Sequence, residues 1–312
     1  MKTKWILMAL LIGCATLTFA QTKELQEHRF KKTSGTLRIE MGLVNVEGYK
    51  GDEVIVSRMV ETRAKDPRAE GLVGLSSNGL GRNVEEVGIF IQEEGDVTKI
   101  RLSKMGKSDT VFVKVPEHLH VVIQEAVLFY SSHNISVKGM AGELEVASTS
   151  GNINLQNITG PVTARTAVGN IEAVFNTPVK GPVSLIATTG FIDVALPKST
   201  KAMLDLNSMM GELFVAPELN IDVLTEDISS KESGEKTTTG AATVGTDGTE
   251  VVTLSGRTVV RTASASMFDR FGNMMVGFPG INSKVKAKLN GGGEDIILRS
   301  TQGKIYLRQT GN

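Results

Sequence analysis

The 312-residue sequence contains a single cysteine, Cys14. A chain processed beyond that point has no thiol, which excludes disulfide staples, thiolate zinc sites and cysteine nucleophiles. Aromatic residues are only 5% of the total, with one tryptophan, so the core must be aliphatic. Charge of one sign is also missing, because 34 Lys and Arg balance 34 Asp and Glu. No basic excess therefore advertises a nucleic-acid or anionic-membrane partner. Neither a His-Glu-x-x-His metal helix nor a Gly-x-Ser-x-Gly nucleophile elbow occurs. Gly106-Lys107-Ser108 copies the end of a phosphate-binding loop. Arg101 stands where that loop needs its first glycine, and no helical pattern follows. No cofactor and no metal ion are expected, and no apolar run reaches the ~20 residues that a membrane helix needs.

What is abundant is glycine, at 33 residues, together with β-branched side chains and small polar residues. That mixture favours short strands separated by turns. The N-terminus reads as a secretory signal over residues 1–20. Lys2 and Lys4 make the basic start, Trp5 to Ile12 the apolar stretch, and Thr18 and Ala20 the small residues before a cut at Gln21. A second reading is a lipobox at Leu11-Ile12-Gly13-Cys14, in which Cys14 would be lipidated.

The strongest signal is an internal repeat. Gly151-Asn152-Ile153, Gly169-Asn170-Ile171, Gly190-Phe191-Ile192 and Gly211-Glu212-Leu213 recur at steps of 18, 21 and 21 residues. A second series, Gly142-Glu143-Leu144, Gly160-Pro161-Val162 and Gly181-Pro182-Val183, keeps the first two steps and runs on at 21 to Leu204. Inside each unit the pattern alternates with period two, as in a half-buried strand. One such unit cannot bury its apolar face alone, but stacked units can. Columns such as Ile135-Ile153-Ile171-Ile192-Leu213 are expected, each side chain contributing roughly 1.5–3 kcal/mol on burial. The expected fold is all-β, a β-solenoid or β-roll of short stacked strands with a polar insertion and a capping segment.

Residues 21–226 are assigned to this solenoid, with the clearest repeats over 134–215. Lys65 to Arg82 reads as a polar loop. Residues 227–265 form a Ser/Thr/Gly-rich stretch that cannot offset chain entropy and reads as a flexible insertion. Residues 266–312 are assigned to a cap, centred on the apolar run Met267 to Phe278, and to C-terminal strands packing on the solenoid. In those strands Ser300 precedes Gly303 by three positions, as Ser148 precedes Gly151, Thr166 precedes Gly169 and Ser208 precedes Gly211.

These Ser/Thr-x-x-Gly-x-Ile-x-Leu units, with Leu289-Asn290-Gly291-Gly292-Gly293 before the closing strands, resemble the bacterial putative-adhesin family of β-strand-repeat proteins. The resemblance covers about Gly35 to Arg308, with Asp227 to Phe278 a poor match. It implies a right-handed β-solenoid at the cell envelope and supplies no catalytic residues.

Four candidate sites remain. His118 and His120 would share a strand face about 6–7 Å apart, a spacing that seats two metal ligands but lacks a third. Asn154, Glu172 and Asp193 form an outward ladder in which the two acids could act as a carboxylate pair, although outward positions are polar simply because they meet water. Gly291-Gly292-Gly293-Glu294-Asp295 is read as a tight turn. Phe191, Phe214 and Tyr306 fall at outward positions and could contact a partner. The expected function is a non-enzymatic, exported envelope protein that binds an unidentified envelope protein or glycan. The alternatives are a polysaccharide-active β-helix enzyme and an envelope-stress regulatory domain. Acids clustered beside an Arg or Lys on one face favour the enzyme.

Overall fold

The structure is a computed structural model that describes residues 23–61, 68, 82–84, 87–103, 110–124, 133–224, 249–254, 257–262 and 283–311. The stretch read as a signal segment, with Cys14, residues 227–248 of the stretch read as an insertion, the apolar run 267–278 and nearly all of the stretch 65–82 read as a loop lie outside the described residues.

Period-two alternation becomes two facing parallel sheets. Each turn of chain supplies one strand to sheet B and then one to sheet A, and these two strands make a rung. The best-defined rung is β11 (Leu144–Gln156), a single strand serving both sheets. It is followed by β12 (Val162–Val168) with β13 (Ile171–Val174), and then β14 (Val183–Thr189) with β15 (Ile192–Leu196). Ile153 pairs with Ile171 and Ile171 with Ile192, so these side chains stand in one column as the repeat predicts.

The next rung is not the next in sequence. β22 (Glu294–Gln302) pairs with β14, and β23 (Ile305–Gln309) pairs with β15. Only then come β16 (Ala202–Ser208) on β22 and β17 (Leu213–Val215) on β23. The expected direct stacking of Leu213 on Ile192 and of Leu204 on Val183 is therefore corrected. Ile305 separates the first pair and Ile296 the second. The C-terminal strands are a rung inside the solenoid rather than a layer upon it.

The other end repeats this plan. β9 (His120–Gln124) and β10 (His133–Lys138) lie beneath β11. Beneath them sits the N-terminal rung, β2 (Thr36–Glu40) with β3 (Val44–Tyr49). The outermost rung, β7 (Val97–Leu102) with β8 (Val111–Pro116), comes from later in the chain. Both terminal segments thus form the second rung from an end.

Among the described residues, antiparallel strands cover both edges at one end and the sheet B edge at the other, while β17 carries none. β6 (Ile89–Glu94) lies on β7, with β5 (Arg82–Val84) outside it. β4 (Glu53–Glu61) lies on β8 and carries β1 (Lys23–Lys31). At the far end β21 (Ser283–Leu289) runs against β16 and pairs with β18 (Ile221–Val223). Such reversed edges protect strand backbones that would otherwise template aggregation. Within the stretch read as a flexible insertion, β19 (Thr249–Leu254) and β20 (Arg257–Thr262) pair as a hairpin in a sheet of their own.

The core is a set of continuous aliphatic columns between the sheets. One runs Ile100-Ile39-Ile123-Val146-Ala164-Leu185-Leu298-Leu206, all buried. Another runs Val111-Val44-Ile135-Ile153-Ile171-Ile192-Ile305, also buried, and ends on half-buried Leu213. Val215, two positions beyond Leu213 and so on the inward side of β17, is 41% exposed because its rung is the last described one of sheet A.

The Ser/Thr-x-x-Gly motif acquires a cause. The corner between the sheets is so tight that a Cβ on Gly169 would lie 2.1 Å from the Gly151 carbonyl oxygen, and one on Gly190 would lie 2.0 Å from that of Gly169. Buried hydroxyls satisfy the corner carbonyls of the rung below. Thr166 donates to Gly151 O at 3.1 Å, Ser300 to Gly190 O at 3.1 Å and Ser208 to Gly303 O at 2.7 Å. A buried carbonyl without such a partner costs about 1–3 kcal/mol, so hydroxyl and glycine recur together.

Candidate functional site

The outward face of sheet A carries one long row, one residue per rung. In register it reads Phe112, Asn45, Ser136, Asn154, Glu172, Asp193, Tyr306 and Phe214. The polar ladder and two of the three aromatic candidates are therefore one feature. The parallel row beside it runs Asn134, Asn152, Asn170 and Phe191. Its amides stitch rung to rung: Asn170 N donates to Asn152 Oδ1 at 2.9 Å, and Phe191 N donates to Asn170 Oδ1 at 3.0 Å.

The intercalated C-terminal rung brings all three aromatics together. Tyr306 stacks on Phe214 at 5.3 Å between centroids and 12° between planes, and meets Phe191 edge-on at 6.2 Å. Cations complete the patch. The Arg308 guanidinium lies 5.2 Å from the Tyr306 ring centre and grips both Asp193 oxygens at 2.9 Å. The Lys304 ammonium lies 5.4 Å from the Phe214 ring and 3.1 Å from Glu212. The hydrogen bond from Arg308 to Asp193 and their opposite charges hold the guanidinium above its usual pKa. Glu212 does the same for Lys304.

This geometry limits what the patch can touch. Rings stacked along the solenoid axis turn their faces to each other and their edges outward. Phe214 is 43% exposed on the last described rung of sheet A, and among the described residues no ring of a further rung lies above it. Sequence reasoning found the three aromatics but missed Lys304 and Arg308. Their signal is a charge beside an outward aromatic, at positions that become neighbours only once the C-terminal rung is inserted.

Glu172 and Asp193 lie on adjacent rungs, with Arg308 beside Asp193. Arg308 occupies both oxygens of Asp193, which leaves Glu172 as the member of the pair open to solvent.

The histidine pair is corrected. His118 falls in the turn before β9, where its Nε2 lies 3.2 Å from the Thr33 carbonyl. His120 opens the strand and faces a different set, Thr36 and Glu145. The pair does not share a strand face because β9 begins only at His120, which leaves His118 in the turn. Asn290 and Gly291 adopt left-handed backbone (φ 50° and 87°), consistent with the tight turn read there.

The described residues define a two-sheet parallel β-solenoid with reversed strands on three of its four edges. The chain belongs to the Toastrack DUF4097 family, whose model matches residues 89–246. Among solved structures it is similar to a putative cell adhesion protein from Clostridium sporogenes, at 11% identity, over 93% of this chain and 100% of that one, with a TM-score of 0.38. It is also similar to a putative adhesin from Bacteroides fragilis, at 12% identity, over 56% of this chain and 90% of that one, with a TM-score of 0.23. No curated protein matches the chain.

Proposed function

We propose that this chain is an exported, non-enzymatic envelope protein whose stiff solenoid presents a binding surface at its C-terminal end. The observation that carries this reading is the patch of Phe191, Tyr306 and Phe214 ringed by Lys304, Arg308, Glu212 and Asp193. An apolar centre with a charged rim is the usual anatomy of a recognition surface. The partner is an envelope protein or glycan, and the signal segment delivers the chain to it.

The test is cosedimentation of the purified chain with isolated bacterial envelopes, alongside mass spectrometry of the N-terminus in cells. Binding that falls at least tenfold in Phe214→Ser, with a mature start at Gln21 or a lipidated Cys14, supports the reading. An intact Met1, or envelope binding indifferent to Phe214, overturns it.

A second reading, polysaccharide cleavage, is favoured by the Glu172, Asp193 and Arg308 grouping. It requires new reducing ends from an envelope polysaccharide, lost in Glu172→Gln.

A further inference from the structure

We infer that His120, Glu143 and Glu145 form a binding site for a divalent transition-metal ion of the Zn2+ class. One imidazole nitrogen and two carboxylate oxygens from these residues all lie within 4.8 Å of one another. Ligands about 2.1 Å from a tetrahedral zinc stand about 3.4 Å apart. His120 Nε2 and Glu145 Oε1 are already at 3.6 Å. Glu143 is exposed, and closing the remaining distance requires only a change of its rotamer.

The backbone brings these residues together. Val121 pairs with Leu144 and Val122 with Glu145, so His120 opens β9 beside Glu143, with Glu145 two positions on. All three point outward from sheet B, away from the aliphatic columns. In register Glu145 is flanked by Val122 and Thr163, neither of which carries charge.

A second observation concerns the imidazole itself. The ring is partly exposed, yet its Nε2 is out of contact with water and has no hydrogen-bond partner. Its Nδ1 lies 3.2 Å from the Thr36 hydroxyl on the neighbouring rung. When Nδ1–H donates to that hydroxyl, the Nε2 lone pair faces the carboxylates. A lone pair and a carboxylate oxygen repel unless a cation lies between them. A hydrogen bond that fixes the far nitrogen is also the usual support of a metal-bound histidine. One nitrogen and two carboxylate oxygens suit zinc and its first-row neighbours better than calcium, which takes six or more oxygens.

The experiment is calorimetric titration of the untagged full chain with Zn2+ alone, with Ca2+ as comparison, and Co2+ absorption as a reporter of nitrogen ligation. The expected result is saturable binding of Zn2+ without binding of Ca2+. Affinity should fall at least tenfold in His120→Ala and in the near-isosteric Glu145→Gln, and about tenfold in Thr36→Val, which removes only the support. His118→Ala should leave it unchanged. No saturable Zn2+ binding, or binding of undiminished affinity in both His120→Ala and Glu145→Gln, overturns the inference.

Discussion

Replacing Gly303 by alanine tests the stacking geometry at the intercalated rung. A Cβ there would lie 1.9 Å from the carbonyl oxygen of Gly190 on the rung below and 2.9 Å from Ser300 Oγ. Ordinary contact begins near 3.4 Å, so the rungs must part locally by about 1.5 Å. The hydrogen bonds that join them here, Gly190 N to Gln302 O at 3.1 Å and Ile192 N to Lys304 O at 3.0 Å, would then be stretched beyond bonding range. Two such bonds contribute about 1 kcal/mol each, and overpacking adds about 1–3 kcal/mol. The expected loss is about 3–5 kcal/mol, measured by urea denaturation followed by circular dichroism. Two controls separate causes. Gly311 has open space and no left-handed φ, so Gly311→Ala should change nothing. Gly291 has open space but φ 87°, so Gly291→Ala isolates backbone strain, about 1–2 kcal/mol. A loss below about 1 kcal/mol in Gly303→Ala would refute the tight corner as the reason for glycine.

Removing residues 291–312 strips four buried aliphatic side chains, Ile296, Leu298, Ile305 and Leu307, worth roughly 6–12 kcal/mol of burial; limited proteolysis should then cut first within residues 197–224, and full resistance there would contradict the intercalated rung. Ser208→Ala deletes the donor to Gly303 O and should cost about 1–2 kcal/mol in the same denaturation assay, with no change pointing to another partner for that carbonyl. Tyr306→Ala should cost about 1–3 kcal/mol through its two ring contacts, while Tyr306→Leu recovers burial but not the stack. Glu212 raises the Lys304 ammonium above its ordinary pKa, so the folded value exceeds the unfolded one. Any stabilisation from that pair is complete below the unfolded value and is lost only as pH climbs through the folded one. The melting difference between wild type and Lys304→Met should therefore stay constant through neutral pH, and a difference that varies there would show a second titrating partner.

The columns were legible because stacking forces chemically equivalent residues to recur. Ile153, Ile171 and Ile192 could be aligned from spacing alone, and the buried hydroxyls of Thr166, Ser208 and Ser300 explain why Ser or Thr stands three before Gly169, Gly211 and Gly303, although Ala187 holds that place before Gly190. Rung order was not legible. The step of 21 residues from Val183 to Leu204 equals the preceding step, yet Ile296 lies between them. Spacing records the length of chain needed for one turn; it carries no information on whether a distant strand has entered the gap. The same limit hid Arg308 from Asp193, 115 residues earlier. Glu143 and Glu145 escaped notice for a related reason. Val121 to Leu144 is a step of 23, outside the repeat, so the search for ligands followed the strand from His118 to His120 instead of crossing to the next rung.

Intercalation changes what the solenoid's nearest-neighbour energetics imply. In a simple stack each rung needs only the preceding one, so a chain could build from one end. Here β16 and β17 find their parallel partners only in β22 and β23, more than ninety residues later for Ser208 and Gly303. The rung at the other end, β7 with β8, depends likewise on β2 and β3, which precede it by about sixty residues in the pair Thr36 and Val97. Long loop closures are slow to form but cost little extra free energy once made, since the penalty grows only logarithmically. Each end of the solenoid is thus tied to a terminal segment of the chain. An outer rung cannot peel away as an isolated unit without also exposing the aliphatic face of that segment. The aromatic patch sits on this tie, because Tyr306 belongs to the inserted rung and Phe214 to the outer one. Its stacked rings fix the two rungs together, so the tie between the chain's distant segments is made in side chains as well as in backbone.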